Sequence, residues 1–119
     1  MTRKYRLVTR SVGCLFFAAL ALGAARQHPA SSEPVPVTAH LSEWKVELSQ
    51  PTVAAGTVTF TVTNAGSIPH GFEVEGHAIE QQTALIQPGS SATLTLTLRP
   101  GTYEVYCPVV EDSHKILGM

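Results

Sequence analysis

The chain has two cysteines, one tryptophan and no apolar run long enough for an ordinary membrane-spanning helix. Each scarcity excludes something. The longest uncharged apolar run, Val12 to Leu22, is about half of the roughly 20 residues that a bilayer-spanning helix needs. No segment sustains a 3.6-residue apolar period, which argues against a helical protein. No Ser/His/Asp set is placed by a motif, and Cys107-Pro108 does not open a helix that would activate a nucleophile. Hydrolytic catalysis is therefore unsupported. There is no basic stripe of the kind that nucleic acid requires.

The first 25 residues have the layout of a secretory signal peptide. Arg3, Lys4, Arg6 and Arg10 form a basic start, the apolar run follows, and Gly23, Ala24 and Ala25 supply small residues at a cleavage site. Cleavage after Ala25 places the protein in the periplasm or outside the cell, with no stable membrane anchor. Cys14 would leave with this segment. Cys107 would then be the only thiol, and a lone thiol in an oxidising compartment suggests intermolecular pairing, a reactive group or a metal ligand. The charge changes too. Four basic and nine acidic side chains remain after Ala25, a net charge of −5. An acidic body is compatible with a basic protein partner.

Residues 26–36 are rich in Pro, Ser and Ala and read as a flexible leader. Residues 37–119 read as one small all-β domain. Val37 to Leu41 and Trp44 to Leu48 are short strand candidates. Thr57 to Thr63 is the clearest period-two strand, with Val58, Phe60 and Val62 inward. His70 to Glu75, Ser91 to Leu98 and Thr102 to Cys107 alternate in the same way. Asn64-Ala65-Gly66, Pro88-Gly89 and Pro100-Gly101 are turns. Ala78 to Ile86 reads as a strand or as a helical turn laid across the sandwich. Short strands at regular spacing imply a β-sandwich. Trp44 is expected to fill the core, and His40 and His77 to lie on the surface.

Alternation also places donor atoms. His70 follows Pro69 at the start of a strand, and Cys107 precedes Pro108 at the end of one. His114 and Met119 follow Cys107 on a single segment. One thiolate, two imidazoles and a weak thioether form the ligand set of a type 1 copper site. Taken singly, each residue has a plainer reading: a satisfied polar His, a small core Cys, an idle Met. Their combination points to one copper ion.

The pattern Asn64-x-Gly66-x-x-Pro69-His70-x-Phe72, then Gly101-Thr102-Tyr103-x-x-Tyr106-Cys107-Pro108, then His114-x-x-x-x-Met119, resembles the cupredoxin (type 1 blue copper, plastocyanin-like) family. The resemblance implies a Greek-key β-sandwich with copper at one pole. It makes His70, Cys107 and His114 the strong ligands and Met119 the long axial one. It also implies a monomeric, non-enzymatic carrier of single electrons between redox protein partners. Three departures stand out. The spacing from Cys107 to His114 is longer than in the best-known members. Gly71 stands where plastocyanins carry Asn. The chain stops at Met119 without the usual last strand, so that one sheet edge is open or covered by something else. A carboxylate ending the chain there would lie beside the metal and lower its potential. Pro108 has no N–H to donate to the Cys107 sulfur, so the Gly71 amide is the expected donor. Phe72, Tyr103, Tyr106, Ile116 and Leu117 are expected to exclude water or to form a docking patch. Two other functions fit the same residues: copper binding or delivery without redox cycling, and a metal-free sandwich that binds a partner.

Overall fold

The computed structural model describes residues 5–11, 13, 33–109 and 119. Among them are nine strands and no helix: β1 Tyr5–Arg10, β2 Val35–Ser42, β3 Lys45–Leu48, β4 Thr52–Ala54, β5 Gly56–Asn64, β6 Glu73–Gly76, β7 Ile79–Gln82, β8 Ser91–Leu98 and β9 Gly101–Tyr106. One sheet has the order β3-β2-β5-β8 and the other β4-β1-β9-β6-β7. The inner faces of the two sheets enclose the core. The all-β sandwich expected from the alternation is the fold observed.

β5 is the spine of the first sheet. It pairs with β8 antiparallel from Gly56↔Leu98 to Thr63↔Ser91 and with β2 parallel from Val35↔Val58 to Leu41↔Asn64. Val58, Phe60 and Val62 are fully buried. Burying one such side chain stabilises by roughly 1.5–3 kcal/mol. The outward threonines tie the strands together: Thr59 and Thr95 hydroxyls lie 3.1 Å apart, and Thr63 Oγ1 lies 2.9 Å from Ser91 Oγ. Phe60 meets Phe72 across the core with ring centroids 5.2 Å apart, tilted by 48°. Tilted pairs at this distance exploit the ring quadrupole.

The second sheet contains a strand that the local pattern does not announce. Tyr5–Arg10, within the segment read as an export signal, forms β1 between β9 (antiparallel) and β4 (parallel). One sheet edge was expected to be open or covered by something else, and β1 covers that of β9. Leu7 is fully buried. Thr9 is also buried, and its hydroxyl lies 2.6 Å from Arg99 O and 3.1 Å from Gly101 O. Arg6 and Arg10 face outward.

Other departures are local. β2 starts at Val35, two residues inside the expected leader. β4 was not legible, because three residues after a proline carry too little alternation. Trp44 does not fill the core. It sits in the β2–β3 turn at φ 64° and is 39% exposed, since the Ser42↔Lys45 pairing leaves only Glu43 and Trp44 to reverse the chain. His77 and Ala78 both have positive φ in the β6–β7 turn, the conformation of a tight hairpin usually built with Asn or Gly. Residues 79–82 are therefore strand rather than helical turn. His40 and His77 are exposed, as expected.

Candidate metal centre

The loop from Asn64 to His70 is held by side chains. Asn64 is fully buried at the end of β5. Its Nδ2 donates to Ile68 O and Ile86 O, both at 2.8 Å, and its Oδ1 accepts from Gly66 N at 2.8 Å. The amide thus uses both protons and an acceptor to shape the loop, which is the physical content of the Asn-x-Gly pattern. Gly66 has no room for a side chain: a Cβ there would lie 2.5 Å from Glu43 Oε1 and 3.0 Å from His70 Nε2. Glu43 arrives from the β2–β3 turn. Its Oε1 accepts from Ser67 N at 2.6 Å, and from Ile68 N and Ser67 Oγ at 3.2 Å. Hydrogen bonding, foremost from the Ser67 amide, holds this carboxyl at about 2, well below the ordinary range.

His70 is fixed at both ends. Its backbone exchanges hydrogen bonds with Ile86, N to O at 3.1 Å and O from N at 2.8 Å. This is an isolated bridge ahead of β6, so the strand starts later than the alternation implied. The ring is fully buried. Nδ1 lies 3.9 Å from Cys107 Sγ, and Nε2 lies 3.6 Å from Glu43 Oε1.

Cys107 follows β9 and is fully buried. The Gly71 amide donates to its Sγ at 3.2 Å, the donor expected once Pro108 is excluded. Burial pushes the thiol above its ordinary pKa, and the Gly71 amide pulls it back in part. A Cβ on Gly71 would lie 3.1 Å from Pro108 Cδ and 3.2 Å from Pro108 Cγ. The proline ring thus packs tightly against the place where an Asn side chain would begin.

The structure therefore brings His70 and Cys107 together. Met119 is buried, and its carbonyl accepts the Cys107 amide at 2.7 Å, so the end of the segment returns to its start. His114, Ile116 and Leu117 lie outside the described residues. Among the described residues no group of three His, Cys, Asp or Glu could hold a metal ion. The pair present nevertheless fits one. Metal–nitrogen and metal–sulfur bonds of about 2.0 and 2.3 Å, the zinc values, together exceed the separation of the two donors, so a single ion can reach both.

The expected docking patch needs correction. Phe72 and Tyr103 are fully buried and offer no docking surface. Tyr103 points to the far pole, where its hydroxyl donates to Arg99 O at 2.9 Å. Tyr106 is half-buried, and its hydroxyl lies 2.8 Å from Glu73 Oε1 and 2.9 Å from Glu75 Oε2. Desolvation, followed by these carboxylates, raises its pKa. The surface beside Cys107 is instead a groove of about 420 Å³ lined by Pro69, Gly71, Gln82, Thr83, Leu85, Pro108 and Val109. Leu85 stands 56% exposed on it. Sequence reasoning missed Glu43 and this groove. The first comes from a remote turn, and the second is assembled from three segments.

No curated protein matches the chain. A solved structure similar to it is the Na-dithionite reduced auracyanin from the photosynthetic bacterium Roseiflexus castenholzii, with a TM-score of 0.62 and 22% identity over 71% of this chain and 91% of that one. At that identity the likeness concerns the fold. The family described as "Cupredoxin-like domain" matches residues 13–117. The loop that aims an imidazole at a buried thiol thus sits in a sandwich shared with a reduced auracyanin, and the chain belongs to the cupredoxin-like domain family.

Proposed function

We propose that the protein is an exported, monomeric carrier of single electrons that binds one type 1 copper ion through His70, Cys107, His114 and Met119. The observation that carries this reading is the 3.9 Å approach of His70 Nδ1 to Cys107 Sγ in a buried site. Bound copper supplies a one-electron couple. The chain's own residues do the rest. Asn64 and the Ile86 bridge set the position of the His70 ring. The Gly71 amide hydrogen-bonds the Cys107 sulfur and draws electron density from it. Burial of both donors excludes water, and a site held by the fold needs little rearrangement when charge changes. The cupredoxin-like fold shared with auracyanin supports the reading of a carrier and not an enzyme. Redox protein partners would dock on the groove around Leu85, next to Cys107.

Export rests on residues 1–25 acting as a signal peptide. Processing after Ala25 would remove β1 from between β4 and β9, so the intact mass of the exported form decides whether β1 belongs to the working protein. For the site, the decisive experiment is a visible spectrum with Cu(II), repeated for Cys107→Ser. An intense sulfur-to-copper charge-transfer band, lost in the variant, is expected. Tight Cu(I) binding without a stable oxidised form would replace the carrier with a copper-delivery protein. A melting temperature indifferent to copper would remove the metal altogether, because a native-state ligand must raise it.

A further inference from the structure

The imidazole that faces Cys107 with one nitrogen faces a carboxylate with the other. Glu43 Oε1 stands 3.6 Å from His70 Nε2, longer than a hydrogen bond but within ion-pair range. His70 does not set the position of that oxygen. Two backbone amides and a hydroxyl, from Ser67 and Ile68, already converge on it. The absence of a Cβ at Gly66 lets carboxylate and ring approach: a methyl group there would collide with the Glu43 oxygen and crowd His70 Nε2. A fixed acceptor is thus presented to the back of a fully buried imidazole.

From this geometry we propose that Glu43 is a positioning residue for the metal site, holding the proton of His70 on Nε2 so that the Nδ1 lone pair faces Cys107, and lowering the reduction potential of the bound ion. The proposal rests on the copper reading above. A neutral imidazole carries one proton, and the partner of one nitrogen decides which nitrogen is left to bind metal. An outer-shell acceptor on a ligating His also fixes the ring's orientation. The negative charge lies on the far side of the ring from the donor atom, where it favours the more highly charged metal state. It is partly exposed, so solvent and salt weaken the effect without abolishing it.

Two variants of the full chain separate the roles. Glu43→Gln keeps an oxygen that can accept the Ser67 and Ile68 amides but loses the charge. Glu43→Ala loses both. With copper, Glu43→Gln should raise the midpoint potential, lowering the Cu(II)-to-Cu(I) ratio at a fixed poise by about fivefold. Glu43→Ala should do the same and also weaken copper binding by about 10–100-fold, as loss of an outer-shell partner typically does. On the metal-free protein, long-range ¹H–¹⁵N spectra should show the His70 proton on Nε2 in the wild type and in Glu43→Gln, and distributed over both nitrogens in Glu43→Ala. Glu47→Gln, which removes an exposed carboxylate of the same hairpin paired with Lys45, is the control for net charge and should leave the potential unchanged. The proposal is overturned if both Glu43 variants keep the Cu(II)-to-Cu(I) ratio within about twofold of wild type while Glu43→Ala keeps the Nε2 proton. If the wild type binds no copper, the copper reading fails, but the tautomer measured without metal still decides whether Glu43 positions the ring.

Discussion

β5 and β1 hold equivalent places in opposite sheets. Each is flanked on both sides, parallel to one neighbour and antiparallel to the other. They fill those places differently. β5 is nine residues long and sends Val58, Phe60 and Val62 into the core. β1 is six residues long, and among its described side chains Leu7 and Thr9 are buried. One of these is polar and is tolerated because Arg99 O and Gly101 O meet its hydroxyl. Three apolar side chains hold β5 in place, whereas β1 relies on backbone pairing, the buried Leu7 and one satisfied hydroxyl. A central strand position can thus accept a weakly apolar segment when its neighbours supply the register and the acceptors.

The largest test of this comparison is deletion of residues 1–10. In the unprocessed chain it strips β9 of five pairings and β4 of three, and should lower the urea midpoint of that form more than any single substitution in the core. An unchanged midpoint would mean that β1 contributes nothing to the fold. Next come the matched truncations. Phe60→Ala should cost about 3–5 kcal/mol and Leu7→Ala about 2–5 kcal/mol, read from equilibrium denaturation. If Leu7→Ala fell below about 1 kcal/mol, the two strands would not be comparable members of one core. Smallest is Thr9→Val, which keeps the shape and removes the hydroxyl that faces two carbonyls. A loss of about 1 kcal/mol is expected, and a gain would show that apolar burial outweighs those contacts.

The fold was legible where alternation ran undisturbed. β8 spans the residues predicted for it, Ser91–Leu98, because threonine and leucine alternate there without a break. β5 and β9 lie within a residue of expectation for the same reason. β1 was not legible, because Arg6 and Arg10 are also what an export signal needs, and nothing local distinguishes the two uses. Trp44 was misplaced, because its size suggested burial while its position in a two-residue turn dictated exposure. At the site, the approach of His70 to Cys107 and the Gly71 donor followed from motif and from the missing N–H of proline. Asn64 was read as a turn former, yet it also anchors the loop to Ile86, 22 residues away.

The order of residues alone therefore determined the period-two strands, the turns between them and the chemistry of the donors, because side-chain alternation and ligand softness are properties of short stretches. Tertiary structure decided which segment lies between β4 and β9 and which carboxylate stands behind His70. Both are matters of distant backbone groups needing partners, and such needs can be met by any part of the chain that the fold brings within reach.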